Sequence, residues 1–264
     1  MPSVFIPHGG GPCFFMDWTM GPADTWDAME AFLKGLIASL PRRPTAILTV
    51  TAHWHSKESF KLASNARPTL IYDYEGFPPH TYQLTYKAPG QPELATRAAA
   101  LMNAAGVAAE VDPAHGWDHG VFIPLKVMRP EEDIPVVAMS VRRDFDPAAH
   151  LAAGRALAPL RDDDVLILGS GLSFHNLPGF FDPRLIGAAQ QFDDWLAATL
   201  AEEDMERRNA GLTAWSKAPA ARLSQPFEDH LVPLMVAAGA SNSPGTQIYA
   251  DHVMGKAVSA YAFA

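Results

Sequence analysis

The chain has 264 residues, 29 of them acidic and 20 basic, for a formal net charge of −9 with histidines neutral. It is long enough to bury a large core, and its negative balance argues against a protein that tracks nucleic-acid phosphates. No apolar stretch approaches the roughly 18 residues of a membrane helix, the opening MPSVFIPHGGG has no basic region followed by an apolar run, and Cys13 alone offers no disulfide framework, so a cytoplasmic protein is expected.

Ser3 to Pro7 reads as a short strand ending in His8-Gly9-Gly10-Gly11-Pro12, a tight loop that brings backbone close to a partner. Thr25 to Leu40 reads as a helix, with Trp26, Met29, Phe32, Leu33, Leu36 and Leu40 spaced by threes and fours and Pro41 and Pro44 closing it. Thr45 to Thr51 is a continuous apolar and β-branched run, the pattern of a strand covered on both faces. It delivers Ala52-His53-Trp54-His55 at its carboxyl end. On strand alternation His53 and His55 share a side, and one can support the other. Ser59 to Gln91 reads as a strand followed by a long irregular excursion, broken by Pro68, Pro78, Pro79 and Pro89 and carrying Tyr72, Tyr74, Tyr82 and Tyr86. Such excursions often bind ligands, though tyrosines also serve as packing.

Glu93 to Ala105 reads as a helix stopped by Gly106, followed by a strand from Val107 to Val111. Asp118-His119-Gly120 precedes Val121 to Val127. Ile134 to Val141 is another strand, and Pro147 to Leu160 a helix with proline near its first position. Val165 to Leu168 is a buried strand running into Gly169-Ser170-Gly171 and then Phe174-His175-Asn176. Pro183 to Leu200 and His230 to Ala238 read as helices, the latter entered through Glu228-Asp229. Ile248-Tyr249 and Ala260 to Phe263 read as short terminal strands. Without a repeat or linker, the expected fold is one α/β domain over residues 1–264, a mostly parallel or mixed central sheet flanked by helices.

Of ten histidines, His8, His53 and His175 fall just after expected strands. Ligands of open α/β sheets bind at the carboxyl ends of strands, so these three can converge. Imidazoles ligate iron, zinc, copper or nickel, and three protein ligands with open positions make a catalytic rather than a structural site. His119 and His230 are further candidates. Each has a plainer reading, as a capped-loop residue beside Asp118 or a helix-start histidine. His80, His115, His150 and His252 read as ordinary surface or core residues. HExxH, CxxC and GxGxxG are absent, the GGGP loop lacks the Lys-Ser/Thr of a phosphate loop, and Gly169-Ser170-Gly171 is not a nucleophile elbow.

The segments PHGGGP (7–12), TAHW (51–54), YDYEGFP (72–78), APG (88–90), DHGVFIPL (118–125), GSGLSFHNL (169–177) and DHLVPL (229–234) together resemble the class III extradiol ring-cleaving dioxygenases of the protocatechuate 4,5-dioxygenase superfamily, in particular the DOPA-4,5-dioxygenase type. The resemblance implies a non-haem Fe(II) enzyme that opens a catechol with O2 beside its two hydroxyls, giving a muconic semialdehyde. It implies His8, His53 and His230 as metal ligands and His175 as the acid/base residue, a position that can also bind metal in zinc-loaded relatives. His119 is implied to contact substrate or dioxygen. Asp229 stands where the family often has glutamate. The implied partners are a catecholic small molecule and O2, with no nucleic acid and no membrane; a homodimer is the default oligomer. A zinc hydrolase using the same histidines and a non-catalytic interaction protein on the same fold are the rival readings. The loops Gly9 to Met16 and Tyr72 to Tyr86 are expected to shape the pocket.

Overall fold

The computed structural model describes residues 1–264 and contains eight strands: β1 (Ser3–Pro7), β2 (Ala46–Ser56), β3 (Phe60–Ala63), β4 (Ala109–Asp112), β5 (Val136–Arg142), β6 (Val165–Gly171), β7 (Gly245–Val253) and β8 (Lys256–Phe263). They form one sheet of order β4-β3-β5-β2-β6-β1-β8-β7. β1 and β2 both run parallel to β6, and β5 runs parallel to β2. β3 and β8 are antiparallel to their inner neighbours, so the sheet is mixed.

The helices are α1 (Asp27–Ser39), α2 (Pro92–Ala104), α3 (His119–Met128), α4 (Pro147–Leu157), α5 (Leu177–Phe180), α6 (Ile186–Leu200), α7 (Met205–Thr213), α8 (Ala221–Ser224) and α9 (Val232–Gly239). The central strands are apolar without interruption because successive side chains feed two cores, one on each face. Leu48, Val50, Val137 and Ile167 join Leu151 of α4 and Leu234 of α9. Their neighbours Ile47, Val136, Leu166 and Leu168 join Leu33 of α1 and Val121 of α3. The result is a single α/β domain with helices on both sides of the sheet.

Several boundaries differ from the sequence reading. β2 continues past Thr51 to Ser56, with a register shift between Val50 and His55. β6 continues past Leu168 through Gly169-Ser170-Gly171. The terminal strands are longer than expected and form a hairpin, because β7 lies at the sheet edge and its polar, half-exposed residues hide the pattern. α7 was not legible either: the segment MERRNAGLT carries almost no apolar stripe. α9 begins at Val232, so His230 sits in the turn before it.

Glycines in β6 decide how close that turn comes to the sheet. A Cβ at Gly169 would lie 2.4 Å from the Pro233 carbonyl oxygen, and one at Gly171 2.1 Å from that of His230. The Leu172 N–H donates to the same His230 oxygen at 3.0 Å. In an open strand an alanine is better tolerated than glycine. Here Gly171→Ala is expected to lower the unfolding free energy by about 1–3 kcal/mol through overpacking against backbone. Urea unfolding monitored by circular dichroism tests this, and a variant as stable as the parent would contradict the packing argument.

Candidate metal centre

Because β1, β6 and β2 are adjacent and parallel, their carboxyl ends share one edge of the sheet. His8 follows β1 directly, its N–H donating to the Gly171 carbonyl at 3.1 Å. His53 lies in the irregular stretch near the end of β2. The end of β6 lies between them and leads into His175. α3 brings His119 on its first residue, and the turn before α9 brings His230. All five imidazoles line one cavity of about 340 Å³.

The His8 Nδ1–H donates to the Gly9 carbonyl at 3.0 Å, which leaves Nε2 as the free nitrogen. That Nε2 is 3.3 Å from Nε2 of His53. Two nitrogens bound to one ion through bonds of about 2.1 Å stand roughly 3.0–3.4 Å apart. His230 is only 3% exposed; its Nδ1 lies 3.0 Å from the Asp229 Oδ1, and its Nε2 has no hydrogen-bond partner. A buried polar atom left this way is costly unless a ligand satisfies it. The donor atoms of His8, His53 and His230 all lie within 4.8 Å of one another. Three such nitrogens suit a divalent iron or zinc ion, so the residues present fit a metal of this kind.

Two carboxylates anchor the cluster. Asp73 Oδ1 accepts the His119 backbone N–H at 2.9 Å and lies 2.9 Å from the His119 Nδ1, while its Oδ2 is 3.6 Å from the His53 Nδ1. Burial raises the Asp73 pKa, but the hydrogen bonds and charge of His119 outweigh it and hold the carboxyl below its usual range. Asp229 Oδ1 accepts the His230 backbone N–H at 2.8 Å and stands 3.9 Å from the His175 Nδ1. The rings of His175 and His230 stack at 3.3 Å. His175, Asp229 and His230 therefore form a second group able to hold an ion, and His53, Asp73 and His119 a third.

Burial dominates the electrostatics. It pushes His8, His53 and His230 well below the ordinary histidine value, assisted by neighbouring imidazoles. Burial also brings His175 down to about 4, against the opposing pull of Asp229. These four rings are neutral near pH 7 and offer lone pairs.

All five sequence candidates thus come together, while other residues separate from them. His55 does not line the cavity: its Nε2–H donates to the Ala52 carbonyl at 2.8 Å and its ring meets Phe145 edge-on. The register shift in β2 breaks the alternation that would have placed it beside His53. Glu228 pairs with Arg222 at 2.6 Å, outside the cavity wall. Asp118 makes no side-chain cap of α3; it accepts a 2.7 Å hydrogen bond from the Thr51 hydroxyl. His150 is a core residue whose Nδ1–H donates to the Asp146 carbonyl, and His115 stacks on Trp54. Sequence reasoning missed Asp73, Trp18, Trp26 and Phe181. Asp73 stood inside a motif, but nothing in its spacing aimed it at His53 and His119.

The family described as the catalytic LigB subunit of aromatic ring-opening dioxygenase matches residues 5–263 of the chain. The chain is 38% identical to dioxygenase tasH of Hapsidospora irregularis, over 98% of its own length and 84% of that protein. It is 40% identical to a 4,5-DOPA dioxygenase extradiol of Portulaca grandiflora, over 90% of its length and 85% of that protein. A crystal structure of an uncharacterized protein from Escherichia coli K12 aligns over the whole of both chains with a TM-score of 0.77 at 27% identity.

The depressed histidines set a pH dependence for the metal-free protein. Each folded-state pKa lies below the ordinary 6.5, so the unfolded chain binds more protons as the pH falls. Stability is full above about 6.5 and drains toward pH 4; His150, at about 4, accounts for roughly 3 kcal/mol of the loss. Asp118, pushed up to about 6 by burial, works in the opposite direction and cancels one histidine's share. Denaturant unfolding at pH 7.5 and 5 is expected to show a clear net loss at the lower pH, and a flat profile would refute the neutral-histidine account.

Proposed function

We propose, from the premise that this chain belongs to the family of the catalytic LigB subunit of aromatic ring-opening dioxygenases, that His8, His53 and His230 hold its metal ion and that His175 and His119 act on the substrate beside it. The enzyme is a non-haem Fe(II)-type extradiol dioxygenase that cleaves a catecholic ring, with O2 as co-substrate. The supporting observation is the pair of Nε2 atoms 3.3 Å apart beside the unpartnered Nε2 of His230, in a cavity that also holds His119 and His175. We assign Fe(II) as the working ion, with Zn(II) a competitor for the same imidazoles in the isolated protein. Residues 1–264 act as one catalytic domain in this reading.

Held by His8, His53 and His230, an Fe(II) ion would supply Lewis-acid and redox chemistry to the two reactants. His175 supplies the base. With its pKa near 4 the ring is neutral, and the nitrogen not facing Asp229 accepts a phenolic proton as the catechol enters. Asp229 steadies the protonated ring, which then returns the proton to an oxygen of the opening product. His119 is held at its Nδ1 and backbone N–H by Asp73, leaving Nε2 to hydrogen-bond substrate or dioxygen. The relatives named as 4,5-DOPA dioxygenases point to a ring-substituted catechol and to cleavage beside the two hydroxyls. His175 can also reach an ion shared with Asp229 and His230, so it is assigned acid/base work with a second role as a metal ligand in the zinc form.

Oxygen uptake by protein loaded anaerobically with Fe(II), against a panel of catechols and with a Zn(II) control, tests the reaction. Iron-dependent uptake with a yellow product is expected; hydrolysis by the zinc form without uptake would replace this reading with a zinc hydrolase. His8→Ala and His53→Ala are expected to lose bound metal, and unchanged metal content would reject the ligand set. His175→Ala is expected to keep most of its iron while turnover falls by about 10²–10⁴-fold. Parent-like turnover in that variant would remove His175 from the chemistry.

A further inference from the structure

We propose that the cavity selects catechols whose ring substituent is apolar and uncharged, and that Glu75 disfavours substituents carrying a carboxylate. The inference rests on the dioxygenase reading for placing the catechol oxygens at the histidines, and it adds which catechols fit.

Away from the histidines, the wall is formed largely by Trp18, Trp26, Phe77, Leu172, Phe180 and Met254. The mouth continues this character: Leu177, Phe181 and Met20 line it and are 62%, 60% and 46% exposed. Exposed large apolar side chains lining a cavity are the kind of surface that binds apolar ligands. A substituent projecting from the ring toward solvent must cross it.

No lysine or arginine lines the cavity. Lys256 lies behind the wall, and its Nζ is spent on the carbonyl oxygens of Phe180 and Met254, each at 3.1 Å. The one acidic side chain in the lining is Glu75, exposed in the same tyrosine-rich loop as Asp73 and not offset by any cation of the wall. A substrate carboxylate here would lose water against aromatic surface without gaining a charged partner and would face a like charge. An alkyl or aryl arm gains buried apolar area along the same path. Glu75 is thus a specificity-determining residue, set apart from the five imidazoles.

Two near-isosteres isolate the effect: 4-propylcatechol and 3-(3,4-dihydroxyphenyl)propionate, in which a carboxylate replaces the terminal methyl. Their binding to Zn(II)-loaded protein without dioxygen is read by calorimetry and by quenching of Trp18 and Trp26 fluorescence. The propyl compound is expected to bind at least tenfold more tightly at low ionic strength. In Glu75→Gln that ratio is expected to shrink about threefold or more, through tighter binding of the propionate. Equal or tighter binding of the propionate by the parent overturns the selectivity, whether the carboxylate is held by main-chain amides of Gly9 to Gly11 or elsewhere. An unchanged ratio in Glu75→Gln overturns the role of that residue, and failure of both compounds to bind overturns the proposal as a whole. Oxygen uptake by the iron form with unsubstituted catechol is run in parallel. If uptake is absent while the binding order holds, the dioxygenase reading has failed and the selectivity has not.

Discussion

The parallel pairing of β1 and β2 onto β6 is the constraint from which the site follows. It brings three strand ends to one edge and sets His8 and His53 on either side of the end of the middle strand. Two glycines near that end then leave room for the turn that carries His230, whose carbonyl oxygen would lie 2.1 Å from a Cβ at Gly171. A site drawn from residues as far apart in sequence as His8 and His230 is therefore held by backbone contacts in the sheet core. This is the kind of rigid element on which a preorganised constellation depends.

Gathering five imidazoles in a buried pocket is expensive if any of them carries charge. The structure meets this by burial, which keeps His8, His53, His175 and His230 neutral, and by two carboxylates at the periphery rather than the centre. Asp73 orients His119 and faces His53; Asp229 orients His230 and faces His175. The same burial that frees lone pairs for a metal costs the metal-free protein stability in acid. Metal affinity and acid sensitivity are consequences of one arrangement.

The cavity divides into two chemistries. Its floor is nitrogen-rich and built by the sheet edge together with the start of α3, the stretch after β6 and the turn before α9. Its walls and mouth are aromatic and aliphatic and come from the segment Gly9 to Trp26, the tyrosine-rich loop, Leu172 and the segment around α5, and the turn between β7 and β8. In the proposed function the floor carries the reaction, and in the proposed selectivity the mouth sorts the catechols.

Much of this was legible from the chain alone. Uninterrupted apolar runs such as TAILTVT reported strands covered on both faces, and His8 and His53 were legible as strand-end residues because an α/β sheet binds ligands at that edge. His175 was legible in the same way, after the strand that starts at Val165, while the motif series assigned roles to His119 and His230 through resemblance rather than through spacing. Folding alone decided the rest. Alternation placed His55 beside His53, and the register slip in β2 turned it away. The expected strand stopped at Leu168, short of Gly169-Ser170-Gly171, since nothing local says that a distant helix must approach a strand so closely. Asp73, Glu75 and the tryptophans of the wall lie in irregular segments without periodicity, so their directions depend on contacts far along the chain. Local sequence determines which residues favour strand, helix or turn; which atoms then meet depends on register and packing between segments that no local pattern encodes.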